Sequence, residues 1–278
     1  MPLATAVAPG PPKDAPRIER APIGSRLLAA ARQQLQTAHS LLSGEGEALH
    51  DGIHETRKCI RRARATLALG AHVFGSRARR LDDELGRICR SLSGLRDAEA
   101  LVEELRRLES SAPANVHAIL PSAQIAARQR RDEILEHVLS RDPGFASRRR
   151  RLLAAEVRLA RLDWHAVGDI DVAEAVKRSE RRAGKAKRRA HRHVDDEPTW
   201  HVYRRRLRRL RQQDTLLGAL RPELCPSLGG LDDHTVLGES QDDALLLKRC
   251  GRGSPFPPGQ RALLRKIARQ RLQHARHH

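Results

Sequence analysis

The chain has few aromatic residues, few cysteines and no long apolar run, and each of these absences argues against a class of protein. Aromatic side chains make up 2% of the 278 residues, which argues against binding single-stranded nucleic acid by base stacking. The four cysteines form no CxxC pair, so we expect reduced thiols in a cytoplasmic protein instead of a zinc site or a disulfide framework. No stretch approaches the ~18 consecutive apolar residues of a membrane span. The first residues also lack the pattern of a secretory signal, and we expect no membrane partner.

Positive charge is the most pronounced property of the composition. The chain carries 53 Lys and Arg against 34 Asp and Glu, which gives a formal net charge of +19. An excess of this size repels itself in a compact protein, so a polyanionic partner is expected. All but seven of the basic residues are Arg, whose planar guanidinium can hold two phosphate oxygens at once. A biased genomic base composition would also raise the Arg content, so this bias alone does not identify the ligand.

The apolar residues follow a helical period along almost the whole chain, and the alternating pattern of strands is absent. The sequence therefore predicts an all-α protein. Residues 1–22 are rich in Pro and Ala and are predicted to be a disordered tail. Breakers such as Asp142-Pro143-Gly144 divide the rest, and we place a first helical bundle at 23–142 and a second at 143–278. The predicted helices cover 24–43, 47–73, 77–93, 95–110, 115–140, 145–163, 171–193, 198–220, 240–250 and 259–276.

Two segments of the chain repeat each other. The segment 54–64, HETRKCIRRAR, matches 201–211, HVYRRRLRRLR, without a gap at an offset of 147 residues. Downstream, LSGLRD at 92–97 pairs with LGESQD at 237–242 at an offset of 145. The chain is therefore predicted to contain two copies of one helical unit.

Each copy of the repeat carries a basic stripe with an apolar back. On a helix, residues at i, i+3, i+4 and i+7 share a face. Like charges so placed repel by a few tenths of a kcal/mol per pair, about 0.2–0.5, and a bound phosphate chain would remove that repulsion. A solvated face is the alternative, which the recurrence in two copies disfavours. The stripe residues and their flanking arginines are His54, Arg57, Lys58, Arg61 and Arg62 in the first copy, and His201, Arg204, Arg205, Arg208 and Arg209 in the second.

A third basic stretch precedes the second copy. Its cationic side chains share one helical face, and Val172, Val176, Ala183, Ala186 and Ala190 are its main apolar positions. A binding face and a solvated face explain it equally well. The residues of this face are Arg178, Arg181, Arg182, Lys185 and Arg189.

The repeated segments resemble the two signatures of the CHAD domain family, the conserved histidine α-helical domain, and the resemblance covers about residues 23–276. It implies two four-helix bundles related by pseudo-twofold symmetry, with a basic channel between them that binds inorganic polyphosphate. Family members are linked to polyphosphate granules. Carried over residue by residue, it assigns the ligand contacts to the ten residues of the two stripes named above. The sequence departs from the family at Ser93, where Gly is common.

Three classes of function follow from these observations. A stand-alone, non-catalytic polyphosphate binder accounts for the duplicated stripes, and we expect it to be a cytoplasmic monomer at polyphosphate granules. The alternative is a basic protein that binds nucleic acid non-specifically through its charge, although no known nucleic-acid-binding motif is evident. An enzyme of phosphoryl transfer would need a metal held by carboxylates. The candidate pairs Asp82-Asp83, Asp232-Asp233 and Asp242-Asp243 are expected to cap helices or pair with Arg, so we expect no cofactor or metal site.

Overall fold

The computed structural model of the protein describes residues 21–194, 196–231 and 234–277, with backbone alone over 234–241 and 274–277. The tail predicted for 1–22 lies outside these ranges except for its last two residues. The all-α prediction is confirmed, because the described residues form helices and no strand. Short 3₁₀ turns lie at Pro143–Phe145, Trp164–Ala166 and Pro222–Leu224. The helices are α1 Ile23–Leu41, α2 Gly46–Leu67, α3 Ala71–Phe74, α4 Ser76–Ser91, α5 Ser93–Leu108, α6 Ala114–His117, α7 Leu120–Arg141, α8 Ala146–Ala160, α9 Asp169–Arg192, α10 Glu197–Leu220, α11 His234–Arg249 and α12 Pro258–His277.

The structure differs from the predicted helices mainly at breakers. The helix predicted over 47–73 is divided into α2 and α3, and Gly75, with φ +58°, separates α3 from α4. The helix predicted over 115–140 is likewise divided into α6 and α7, and α7 begins next to Pro121, a residue favoured in a first helical turn. The helix predicted from 240 begins six residues earlier, at His234, because Gly238 is tolerated inside it at a cost of about 1 kcal/mol.

Two large hydrophobic clusters hold the helices together. The first is formed chiefly by α1, α2, α4 and α8, with Ile60 and Leu159 fully buried at its centre. The second is formed by α5, α7, α11 and α12 around Val102, Leu246 and Leu264. Each cluster draws residues from both sides of position 142. The bundle boundary at 142–143 and the pseudo-twofold relation therefore stay predictions, and the buried clusters do not follow that boundary.

The two copies of the repeat lie on α2 and α10, and these helices pack against each other. The buried Gln213 amide of α10 donates to the carbonyl oxygen of Ala65 in α2 at 3.1 Å. The predicted apolar backs are confirmed: Ile53, Ile60, Ala63 and Leu67 of α2 are buried, as are Tyr203, Leu207, Leu210 and Leu217 of α10. Because these backs face the cores, the basic stripes are turned away from them. None of the described helices is long and apolar enough to cross a membrane.

Candidate anion-binding site

The first basic stripe is anchored at the junction between α4 and α5. The Arg57 guanidinium donates to the carbonyl oxygen of Cys89 and, at 2.8 Å, to the hydroxyl of Ser93. A cation at the carboxyl end of a helix such as α4 is favoured by the helix dipole. Lys58 pairs with Glu55 at 2.6 Å, so one charge of this stripe is neutralised on its own helix. Arg61 has no carboxylate partner among the described residues.

The second stripe combines one buried arginine with more exposed cations. Arg204 is 6% exposed and contacts the Glu197 carboxylate at 2.5 Å. His201 and Arg205 are exposed. Arg208 is partly buried, and like Arg61 it has no carboxylate partner in the described part of the chain. The stripe is therefore held in place at Arg204, while the charge of Arg208 stays available.

The two stripes converge at a set of five arginines, here called the arginine cluster, which comprises Arg57, Arg61, Arg96, Arg204 and Arg208. Burial and the charges of Arg208, Arg57 and Arg96 lower the pKa of Arg61 to about 10. Burial and the charges of Arg96, Arg204 and Arg57 also lower the pKa of Arg208. Such mutual repulsion between partly buried guanidinium groups is relieved by a bound anion. The buried Nε atoms of Arg57 and Arg61 have no hydrogen-bond acceptor within the described residues.

Arg96 is the member of the cluster that the sequence reasoning missed. It lies on α5, one helical turn after Ser93, which accepts the hydrogen bond from Arg57. This position brings a third helix to the site. Arg96 belongs to the segment LSGLRDAEAL, which the resemblance had singled out. The helical period of α2 or α10 alone, however, cannot show that an arginine of α5 lies beside them.

A groove of about 570 Å³ lies beside the arginine cluster between α1, α2 and α10, and we call it the α2–α10 groove. Its cations are Lys58, Arg61, Arg62, Arg208 and Arg211. The amide groups along it can donate further hydrogen bonds to an anion, whereas the hydroxyls of Thr66 and Thr215 already donate to the carbonyl oxygens of Arg62 and Arg211. These polar groups are Gln33, Gln34, Thr66, Gln212 and Thr215.

Arg209 lies apart from the cluster, on the other side of α10. Its guanidinium is 3.7 Å from the Asp82 carboxylate, which also accepts two hydrogen bonds of 2.8 Å from Arg64. A second pocket of about 370 Å³ opens here, and we call it the Asp82 pocket. Arg206 lines it too, and burial together with Arg182 and Arg205 lowers the Arg206 pKa.

The third basic stretch lies on α9, and only two of its five cations line a pocket. Arg178 and Arg182 line the Asp82 pocket, and Arg178 also pairs with Glu174 at 3.3 Å. Arg181, Lys185 and Arg189 are exposed and line neither the groove nor this pocket. The five cations of this stretch therefore do not form one face toward the arginine cluster: two line the Asp82 pocket and three are exposed elsewhere on α9.

The surroundings of both histidines of the repeat lower their pKa below the ordinary value of a histidine. Burial and the charges of Lys58, Arg96 and Arg61 lower the pKa of His54 to about 4. Burial and the charges of Arg204, Arg205 and Arg208 lower the pKa of His201. A bound polyanion would raise both pKa values, because it stabilises the imidazolium form. Binding would then take up protons, which strengthens binding as the pH falls.

We therefore expect the affinity for long-chain polyphosphate to rise by about tenfold or more from pH 8 to pH 5. The measurement is a titration at constant ionic strength. The variant His54→Gln/His201→Gln should lose most of this pH dependence, whereas the exposed His137→Gln on α7 should keep it. Equal affinity at both pH values for the wild type would show that these histidines are not at the ligand.

The carboxylate pairs that an enzyme would use for a metal contact arginines instead. Asp82 is bound by Arg64, and Asp243 contacts Arg271 at 3.0 Å. Asp242 contacts Arg107 at 2.7 Å. The pair at 232–233 lies outside the described residues. Within the described ranges, no group of three or more His, Cys, Asp or Glu side chains is placed to hold a metal ion.

The described residues form a basic, all-helical domain in which arginines from three helices lie beside one groove. The model of the CHAD domain family matches residues 26–251. This match covers most of the chain, and the protein belongs to the CHAD domain family. The family is associated with polyphosphate binding and is generally a binding domain. Comparisons with curated proteins and with solved structures gave no match.

Proposed function

We propose that this protein binds inorganic polyphosphate in the α2–α10 groove and does not hydrolyse it. The observation that carries the proposal is the arginine cluster, in which Arg61 and Arg208 repel each other and have no carboxylate partner in the described part of the chain. A phosphate placed between them removes this repulsion and accepts charge-assisted hydrogen bonds from both. Amide groups of the groove, such as Gln34 and Gln212, then donate to neighbouring phosphates.

The shape of the groove favours a thin, flexible anion over a nucleic-acid duplex. Arg61 and Arg208 are partly buried between helices, whereas the phosphates of a duplex are fixed on a wide, stiff surface. A polyphosphate chain has no sugar or base to accommodate and can bend into the groove. Nucleic acid would therefore be restricted to the exposed cations, such as Arg181, Lys185 and Arg189, which is a non-specific interaction.

The proposal includes the roles of the individual cations. Arg57 and Arg204 are held by protein groups, so they supply fixed charge, while Arg61 and Arg208 supply the direct contacts. Lys58, Arg62 and His54 extend the site along α2, and His201 and Arg205 extend it along α10. Arg209, Arg178 and Arg182 would extend it only if the phosphate chain continues into the Asp82 pocket.

We further propose that one chain suffices for binding and that the protein acts in the cytoplasm at polyphosphate granules. A monomer is supported because all five arginines of the cluster belong to one chain, so no second copy is needed to complete it. The granule is supported by the ligand, because a protein that binds long polyphosphate without consuming it stays on the polymer. The two repeats are proposed to form the two walls of one basic channel, related by a pseudo-twofold axis.

A titration with four ligands tests the function. Long-chain polyphosphate, pyrophosphate, ATP and duplex DNA are compared at physiological salt, because charge-driven affinities depend steeply on ionic strength. We expect the long polyphosphate to bind tightest and DNA to bind at least about tenfold more weakly. DNA binding as tight as that of polyphosphate would contradict the proposal. Metal-dependent release of phosphate would contradict its non-catalytic part.

A further inference from the structure

Arg96 faces two environments of opposite charge. On one side lies the arginine cluster: the charge of Arg96 lowers the pKa of Arg61 and Arg208, and Ser93, one turn before it on α5, accepts a hydrogen bond of 2.8 Å from Arg57. On the other side its guanidinium lies 3.5 Å from one carboxylate oxygen of Asp242 on α11. That distance is at the outer limit of a hydrogen bond, so Arg96 is held there loosely.

Asp242 does not depend on Arg96 for its own neutralisation. The other oxygen of its carboxylate accepts a hydrogen bond of 2.7 Å from Arg107, one of the shortest charged contacts on α5. Arg107 in turn lies 2.6 Å from the buried Glu104. If Arg96 moved away, Asp242 would keep its stronger partner, and no buried charge would be left alone. The cost of releasing Arg96 is therefore small compared with that of breaking a buried ion pair.

We propose that Asp242 is an internal competitor of the ligand: it holds Arg96 in the unliganded protein, and a phosphate group of the bound chain takes Arg96 from it. This inference rests on the proposed function and adds a binding residue from a third helix. Arg96 becomes a direct contact, and Asp242 sets how strongly the site binds.

Asp97 is the natural comparison, because among the described residues it is the other carboxylate within ion-pair distance of Arg96. It lies 4.0 Å away, is 37% exposed and is the next residue on the same helix. It has no second arginine within ion-pair distance in the described part of the chain. A change at Asp97 removes the same charge from nearly the same place, but it does not release Arg96 from α11.

The experiment is a double-mutant cycle on the full chain with long-chain polyphosphate as the probe. We expect Asp242→Asn to bind about three- to tenfold tighter and Arg96→Gln about tenfold weaker than the wild type. In the Arg96→Gln background, Asp242→Asn should bring no gain, because the two residues act through each other. Asp97→Asn should bind within about twofold of the wild type.

The possible failures can be told apart. If the wild type does not bind polyphosphate, the proposed function and this inference both fall. If the wild type binds but Asp242→Asn behaves like Asp97→Asn, or its gain persists without Arg96, the competitor role alone is overturned. A helical spectrum and a melting curve for each variant show whether the fold is retained. The Asn side chain still offers an oxygen to Arg107, so we expect Asp242→Asn to stay folded.

Discussion

The variant Arg61→Gln/Arg208→Gln should lose about 100-fold or more of the affinity for long-chain polyphosphate. Each guanidinium would give up charged hydrogen bonds worth about 1.5–3 kcal/mol, and a loss of about 3 kcal/mol in total corresponds to more than 100-fold. The dependence of log affinity on log salt should also become shallower by about 1.4, since about 0.7 is lost for each phosphate contact on a flexible strand. Isothermal titration at several salt concentrations measures both effects.

The same variant should melt at or above the temperature of the wild type. Burial and like charges lower the pKa of both arginines, so removing them relieves repulsion in the folded state. A matched control is Arg32→Gln/Arg130→Gln, which removes the same net charge from exposed positions outside the groove. If the control loses as much affinity as the cluster variant, binding is a general effect of charge and the site lies elsewhere.

Gly24→Ala should strongly destabilise the protein. A Cβ at position 24 would lie 1.8 Å from the carbonyl oxygen of Trp164, and this backbone cannot yield easily. The Trp164 ring is buried, donates to the Leu159 carbonyl oxygen at 2.8 Å and packs edge-on against Phe74 at 4.7 Å. We expect a loss of about 3 kcal/mol or more in the free energy of unfolding. The melting temperature should fall by about 10 °C.

Gly184→Ala is the control for this substitution. Gly184 lies in the middle of α9, and the nearest atom to a new Cβ is the far end of the flexible Arg188 side chain, at 3.6 Å. Replacing a glycine in a helix interior should therefore stabilise the protein by about 0.5–1 kcal/mol. If Gly24→Ala also proves neutral or stabilising, the close contact between α1 and the turn at Trp164–Ala166 is wrong.

Helical period and breakers were sufficient to predict the all-α class and the approximate position of most helices. The apolar backs of α2 and α10, such as Ile60 and Leu207, are buried as predicted, because a stripe of apolar residues can be buried on only one side of a helix. Which helices pack together could not be predicted in this way. Local periodicity carries no information on partners, and α8 joins α1, α2 and α4 after a long excursion of the chain.

The sequence pointed to four of the five arginines that the structure brings together and missed Arg96. Arg57, Arg61, Arg204 and Arg208 come together, and the matching repeats had indicated that both copies carry the same chemistry. Arg209 is instead turned to Asp82, since two successive residues on a helix point in different directions. The neighbours Gln33, Gln34 and Arg211 were missed because they arrive from outside the stripes. The ligand contacts themselves stay predictions until a complex is measured.

The interleaving of the two hydrophobic clusters has a consequence for biosynthesis. The first cluster takes residues from Ile23 to Leu217, and the second takes residues from Leu101 to Ala268. Neither core can therefore be completed on the ribosome until most of the polypeptide has been translated, and contacts so distant in sequence slow folding. The arginine cluster, which joins α2, α5 and α10, assembles late in this order. A nascent chain that ended near residue 142 would carry three of the five cluster arginines, so on the proposed function it would lack the α10 side of the groove and would not yet hold the polymer.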